Sequence, residues 1–584
     1  MRFWLIIISL IFLSETGLSK TVIETLESER KAQKLTYEEY LVNSIIAYHE
    51  PEKLPPKYRA LAAESQPLKC GTTLMLQAKE NFDKLSKASQ ELIQSYFLRP
   101  SLPYSYVSES GLFRIHYTLE GLNAVDLSDS DNNNMPDFVE EAARALDYSY
   151  RLIVDTLGYK APPTDFEYDG PEYDFYFLNS MSYGETILEN EITHSPSTYS
   201  SFIRSNNQFG ADFYTHGLDA VRVTCAHEFF HMVQLGYAVR SSDLFYFEIS
   251  STWMEDVAYD DVNDYYQYIS PFFKTVNIPF NTYNYEHEYG CCLWNHMLAK
   301  KYSRDIVRSV WEYIERFPAL EAMDYAIINV SGGESSFRSD LESFSVWNYF
   351  TGSRSNPVDF YPEGEFYPEI RARRTYSFDT DVALSDSIRE FSTAYYSITD
   401  TDGKRDFAIV MQHLGEPDTG ENYVSYNISV LRYPLSKNHQ PLDDGLYVQI
   451  KSSDMSLLRG NAAIAYYDSS HKVAAFSTVQ TPKIPPVRIF PNPFIPGQDS
   501  ELEIDFTLEV REWVEIKILT SEGRLVKNIE IEGIIPGMLA AGFHPEANWN
   551  GTNDDGYYVA SGIYLVCIKT DSFVEYRKVA VIRK

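Results

Sequence analysis

His227-Glu228-Phe229-Phe230-His231 is an H-E-x-x-H run, and its residue types name a chemistry. On a helix, two histidines four apart lie about 6 Å apart along the axis and roughly 40° apart around it, so both imidazoles reach one ion. Neutral imidazoles suit Zn2+. A site with three protein ligands keeps a fourth position for water, whose pKa falls to about 7 there. Glu228, projecting beside the ion, can take that water's proton as general base and return it to a leaving amine. The bland alternative is a core helix with two satisfied histidines. The next segment favours the metal: Ser250 to Tyr259, SSTWMEDVAY, reads as a second short helix, and its Glu255 stands 24 residues after His231. The first helix is carried by the apolar spacing Val221, Cys225, Phe229, Met232, Leu235, with Gly236 as its stop.

HEFFH followed by WMEDVAY resembles the zinc peptidases of the thermolysin and aminopeptidase clan, the gluzincins, in which a Glu from a following helix completes a His, His, Glu set. That resemblance implies His227, His231 and Glu255 as ligands and Glu228 as general base. Asp256 is a rival third ligand, and Asp256 or Asp260 could instead orient an imidazole from outside. The metzincin pattern requires Gly three and His six residues after the second His; Gln234 and Tyr237 stand there. Related peptidases carry a Tyr or His beyond the third ligand that donates to the tetrahedral oxyanion. By that likeness Tyr289 is the first candidate and His287 the second, both in YEHEYG before the apolar CCLWNHMLAKKY.

Several elements must surround such a site in a chain of 584 residues, which exceeds one compact core. The reading is a multidomain α+β protein: a mainly helical zincin catalytic domain with a small sheet, then a β-sandwich, then a C-terminal Ig-like β-sandwich. Residues 1–19 read as a signal peptide, with Met1-Arg2, an apolar run from Phe3 to Leu13 and small residues near the cleavage point. No other stretch is long and apolar enough to span a bilayer, so no transmembrane helix is expected in the mature chain. A net charge of -33 argues against nucleic-acid partners, whose phosphates would be repelled. Five cysteines, an odd number, support no disulfide framework.

Residues 20–100 are polar and helix-leaning, as a pro-region would be. Between its helices lies Lys69-Cys70-Gly71. A thiolate is a good zinc ligand and could fill the open fourth position until the segment is removed. K-C-G is similar to the propeptide switch of matrix metalloproteinases; a buried apolar Cys is the commoner reading of such a residue. The catalytic domain is placed at 101–366, with FRIHY (113–117) and YDFYFL (173–178) as strands. By the gluzincin plan the latter would be the sheet edge that lines the cleft and pairs with extended peptides.

Asp129, Asp131, Asn133, Met135 through its carbonyl, Asp137 and Glu140 fall at loop positions 1, 3, 5, 7, 9 and 12 of an EF-hand loop, which predicts structural Ca2+. Asn134 replaces the usual Gly at position 6, tolerable because Asn visits the left-handed region. The loop resembles the calcium loops of dockerin-like and thrombospondin-like repeats; a solvated acidic turn capping a helix over 138–157 is the alternative.

Short alternating runs over 367–480 predict an antiparallel β-sandwich, closed by a linker TPKIPP at 481–486. Residues 487–584, with VRIFPNPF, WNGTNDDG and VASGIYLVCIKT, resemble the Ig-like C-terminal domain of type IX secretion cargo and flagellar hook-cap proteins. That likeness implies an address read by outer-membrane secretion machinery and a location outside the cell or on the bacterial surface. The whole order resembles that of exported bacterial metalloproteases.

The expectation is therefore a secreted zinc endopeptidase acting on protein or peptide substrates. The competing class is a non-catalytic surface adhesin or matrix protein that uses the zincin scaffold and β-domains for binding.

Overall fold

The computed structural model describes residues 21–165, 170–192 and 197–377, and from there to residue 583 the strands and the turns adjoining them. The expected signal peptide and the 481–486 linker lie outside the described residues. The chain is mixed α+β and divides into two compact units, one running to residue 267 and including 283–289, the other comprising 268–282 and 290 onward. The expected pro-region thus falls in the same unit as the H-E-x-x-H helix, while the helices beyond residue 290 fall in the other.

The first unit is built on a six-stranded sheet: β1 (Leu68–Cys70), β2 (Tyr104–Val107), β3 (Phe113–Tyr117), β4 (Tyr173–Leu178), β5 (Ser182–Glu191) and β6 (Tyr199–Asn206), in the order β1-β5-β6-β4-β3-β2. β4 is therefore internal, flanked by β3 and β6, which corrects its expected place at the edge. The edge over the H-E-x-x-H helix belongs to β5, and β1 covers it in parallel register, Leu68 opposite Ser182 and Cys70 opposite Gly184.

Alternation along β4 explains how the sheet takes a helical layer on each face. Tyr176, with Ile187 and Phe202, packs into an apolar cluster with Leu41, Ile45, Tyr48, Leu74 and Met75 from the N-terminal helices. Phe175 and Phe177 meet edge to face, and Phe177 meets Phe138. The N-terminal helices are α1 (Val22–Lys31), α2 (Tyr37–His49), α3 (Pro56–Glu64), α4 (Thr72–Asn81) and α5 (Lys87–Tyr96). Thr21 with Glu24 and Thr36 with Glu39 close capping boxes at the first two, satisfying amides that would otherwise lack acceptors. Opposite lie α6 (Asp137–Tyr150) and α7 (Gly217–Leu235).

From Ala220 to Leu235 every residue of α7 is buried except Arg222. This all-round burial is why its sequence is apolar beyond one stripe. It ends at Gly236 as predicted, where a side chain would meet Pro163 at 3.0 Å. α8 (Leu244–Ala258) begins six residues earlier than the sequence suggests, so Glu248 lies inside it. In the second unit, helices Leu293–Lys301, Asp305–Ile314, Ala319–Val330 and Phe337–Tyr349 precede a five-stranded and a three-stranded sheet over 374–479. These pair antiparallel except where 374–377 runs parallel to 393–399. Two further sheets over 488–581 share one apolar cluster that includes Ile504, Phe506, Ile516, Val566 and Trp549.

Candidate metal centre

Helix α7 carries His227, Glu228 and His231, all buried. His227 Nδ1 lies 2.6 Å from Glu255 Oε1, and His231 Nδ1 lies 2.6 Å from Gln234 Oε1. Gln234 is fixed in turn, its amide donating to the Phe247 carbonyl and to the hydroxyls of Ser250 and Ser251. An acceptor at each Nδ1 selects the tautomer with its proton there and leaves both Nε2 lone pairs facing inward. The two Nε2 atoms are 3.1 Å apart.

Glu248 completes the cluster. Its Oε2 lies 3.2 Å from His227 Nε2 and 3.6 Å from His231 Nε2. Cys70 Sγ lies 3.4 Å from His231 Nε2. One donor atom from each of Cys70, His227, His231 and Glu248 falls within 4.8 Å of all the others. With Zn–N and Zn–O near 2.0–2.2 Å and Zn–S near 2.3 Å, a zinc tetrahedron has edges of about 3.3–3.6 Å. Four of the six donor separations, 3.1, 3.2, 3.4 and 3.6 Å, lie near those edges and all six are within 4.8 Å, so the residue types and their convergence fit zinc.

Electrostatics favour positive charge at the centre. Burial lowers the His227 pKa, but hydrogen bonds to Glu248 and Glu255 outweigh it and push it up to about 9. Burial raises Glu248, yet the His231 and His227 imidazoles hold it well below the usual carboxylate range. The Cys70 thiol is pushed well above its ordinary value by burial and by the nearby Glu228 and Glu248. A bound divalent cation reverses that last preference, since coordination deprotonates a thiol.

Glu255, the expected third ligand, sits on the outer side of His227, where it orients the ring and also accepts from Lys69 Nζ at 2.8 Å. Glu248 and Glu255 are seven residues apart on α8, about two turns, and so share a face. The one facing Nε2 is Glu248; the one facing Nδ1 is Glu255. Asp256 and Asp260 are not in the convergent group, whose members are Cys70, His227, His231 and Glu248.

Glu228 Oε2 accepts hydrogen bonds from Thr72 at 3.1 Å and Thr186 at 2.8 Å, while its buried Oε1 has no hydrogen-bond partner. Gly184 of β5 permits this approach: a Cβ there would meet Glu228 Cγ at 2.9 Å. Thr73 donates to Glu248 Oε1 at 3.0 Å. Residues 69 to 73 therefore place one polar group each from Lys69, Cys70, Thr72 and Thr73 on Glu255, His231, Glu228 and Glu248. The side chain of Tyr48 holds the intervening bend, its ring lying where a side chain at residue 71 would have to go, 2.4 Å from that Cβ position.

His287 and Tyr289, the expected oxyanion donors, are buried in the short helix His287–Gly290. The Tyr283 hydroxyl lies next to the cluster, hydrogen-bonded to Thr73, which donates in turn to Glu248. Nothing in the spacing marked it, because tyrosines are 45 of the residues.

In the acidic loop, Asn134 has φ +67°, the left-handed conformation its replacement of Gly demands. Asp129 accepts from the amides of Asn133 and Asn134, Asp131 from Asn133, and Asn133 donates to Glu140 at 2.8 Å. The amide of Met135 donates to Asn133 Oδ1, and Asp137 accepts from Ser130. These oxygens are taken up by amides and a hydroxyl of the loop itself, and their carboxylates are not among the convergent donors of the described residues.

No family model matches the chain, and no curated protein does. Among solved structures it is similar in part to dimeric latent PorU from Porphyromonas gingivalis, at 16% identity and TM-score 0.14, over 31% of this chain and 18% of that one. It is likewise similar in part to PorZ, described as a surface component of the type IX secretion system of the same organism, at 12% identity and TM-score 0.13. That match covers 32% of this chain and 39% of that one, so the chain spans well under half the length of either structure.

Proposed function

We propose that this protein is an exported zinc endopeptidase held latent by its own residues 69–73. The reading rests on one observation: two imidazoles with both Nδ1 atoms engaged outside, a carboxylate and a thiol turn four donor atoms toward one point, all within 4.8 Å of one another. His227, His231 and Glu248 would hold the metal, with Cys70 in the fourth position. Bound there, zinc supplies Lewis acidity to a carbonyl and lowers the pKa of a water once the thiol leaves.

The chain's own groups supply the rest. Glu228, freed of Thr72, takes a proton at Oε1 and delivers it to the leaving nitrogen. Thr186 remains on Oε2 and keeps the carboxylate aimed. Removal of Thr73 releases the Tyr283 hydroxyl to donate to charge developing on the substrate oxygen. With β1 gone, β5 offers its free edge to an extended peptide, the usual way a sheet edge binds one. Among the described residues no helix is long and apolar enough to cross a membrane. Export and the sorting role of 487–584 are supported by the sequence resemblance alone.

The test uses the full-length chain, intact and after nicking within residues 21–98. One zinc per chain, casein hydrolysis only after nicking, and inhibition by 1,10-phenanthroline are expected. Glu228→Gln should retain zinc and lose hydrolysis. Normal casein cleavage by that variant, or none by nicked wild type, would overturn the reading.

A further inference from the structure

The residue beside Cys70 occupies a pocket of its own. Lys69 Nζ lies 2.8 Å from Glu255 Oε2 and 2.6 Å from Asp264 Oδ2, and sits over the ring of Tyr183 at 4.5 Å. Its side chain is 1% exposed, those of Glu255 and Asp264 2% and 0%. Asp264 is positioned by the Tyr183 hydroxyl at 3.2 Å and by Gln267 at 3.0 Å, both on Oδ1. The remaining oxygen is left for the ammonium. A buried cation is tolerated only when it is paired and hydrogen-bonded, and here two carboxylates and an aromatic face meet it.

Lys69 belongs to the strand that covers the β5 edge, with its neighbour Cys70 at the metal donors. A substrate strand that replaces β1 on that edge must put some side chain where Lys69 now lies. If nothing basic enters, Glu255 Oε2 and Asp264 Oδ2 are left buried without their counter-charge, a costly arrangement. We propose that Glu255, Asp264 and Tyr183 form a specificity pocket that selects a lysine or arginine adjacent to the scissile bond, and that Lys69 is its internal occupant. The proposal rests on the peptidase reading and deepens it by naming the substrate class. Asp264 is the residue to perturb, because Glu255 also orients His227.

The experiment profiles peptide cleavage by full-length protein nicked with chymotrypsin within residues 21–98, the chymotrypsin then being inactivated. Peptides that differ only in having Lys, Arg, norleucine or Ala next to the cleaved bond are compared. Lys or Arg should raise kcat/KM at least tenfold over norleucine. Asp264→Asn should bring that ratio down toward one by lowering kcat/KM for the Lys and Arg peptides selectively. A nicked Glu228→Gln chain should bind the Lys peptide at least tenfold more tightly than the norleucine peptide in fluorescence anisotropy, a readout that needs no turnover. Zinc-dependent cleavage with no basic preference, or an Asp264→Asn variant that slows all peptides equally, would overturn the pocket and leave the peptidase reading standing. Absence of zinc-dependent cleavage of every peptide would sink both.

Discussion

The assignment of Glu248 rather than Glu255 to the metal makes a quantitative prediction. Structural zinc binds with about 10–16 kcal/mol of apparent free energy in small sites, so each of four donors carries on the order of 2.5–4 kcal/mol. Glu248 Oε2 faces both Nε2 atoms, and Glu248→Gln removes the only charged oxygen in the set. At 1.4 kcal/mol per decade the zinc dissociation constant should rise about 10²- to 10³-fold. Glu255→Gln is different, because a Gln oxygen still accepts from His227 Nδ1. Loss of an orienting partner costs about 10- to 100-fold in metal affinity, and a retained acceptor places the change at or below the lower end. Asp264 remains to pair Lys69. Competition of intact chain against a chromophoric chelator at fixed pH and salt measures both constants. If Glu255→Gln weakens zinc more than Glu248→Gln does, the ligand and the orienting residue have been exchanged and the proposed donor set is wrong.

Further outcomes follow from other contacts. Cys70→Ala should give the intact chain measurable zinc-dependent casein hydrolysis, because the fourth position opens. It should remain well below the nicked wild type, since Thr72 and Thr73 still occupy Glu228 and Glu248; a fully silent variant in a hydrolysis assay would place the block elsewhere. Glu185 on β5, buried beside Arg204 and His49, has its pKa raised to about 7, by burial first, with Arg204 only partly offsetting it. A carboxyl raised in the folded state binds its proton more tightly there than when unfolded, so stability declines as pH rises from about 4.5 to about 7. Glu185→Gln should therefore raise the melting temperature more at pH 8 than at pH 5, by the equivalent of about 1–3 kcal/mol; an equal shift at both pH values refutes the raised value. For the acidic loop, calcium should raise the melting temperature of the chain, and Asp131→Ala should remove that increment in scanning calorimetry. Calcium without effect would leave the loop as the self-bonded turn its contacts describe.

Much of the first unit is legible in the sequence. The strands at 113–117 and 173–178 and the helix that stops before Gly236 follow from apolar periodicity, which depends only on which face is buried. The position of β4 within the sheet is not written in its alternation, because strand order is set by which distant segments pair. The sequence does not single out Glu248, the proposed third ligand, for a local reason. Phe245, Tyr246 and Phe247 open α8 as a run of aromatic residues, which carries no helical stripe, so the helix reads as beginning at Ser250 and Glu248 falls outside it. Gln234 illustrates the converse: at the position that excludes the metzincin pattern, its chemistry is used to hold His231.

The covering segment shows why a short motif can carry more than its spacing reveals. K-C-G read alone offers a thiol and a flexible residue. In the fold, a three-residue strand on the β5 edge fixes Cys70 opposite Gly184, and helix α4 starts immediately after, at Thr72. Strand alternation and the helical turn then distribute four polar side chains within five residues over two proposed ligands, the proposed base and the carboxylate that orients His227. Each contact alone is worth on the order of 1–3 kcal/mol. Their joint geometry is specified only if β1 stays paired, and β1 contributes just two register pairs. The segment is therefore held chiefly by the apolar packing of α1 to α5 on the sheet. On the proposed reading, cutting that helical layer, rather than competing with any one contact at the donor cluster, is the effective route to uncovering the β5 edge.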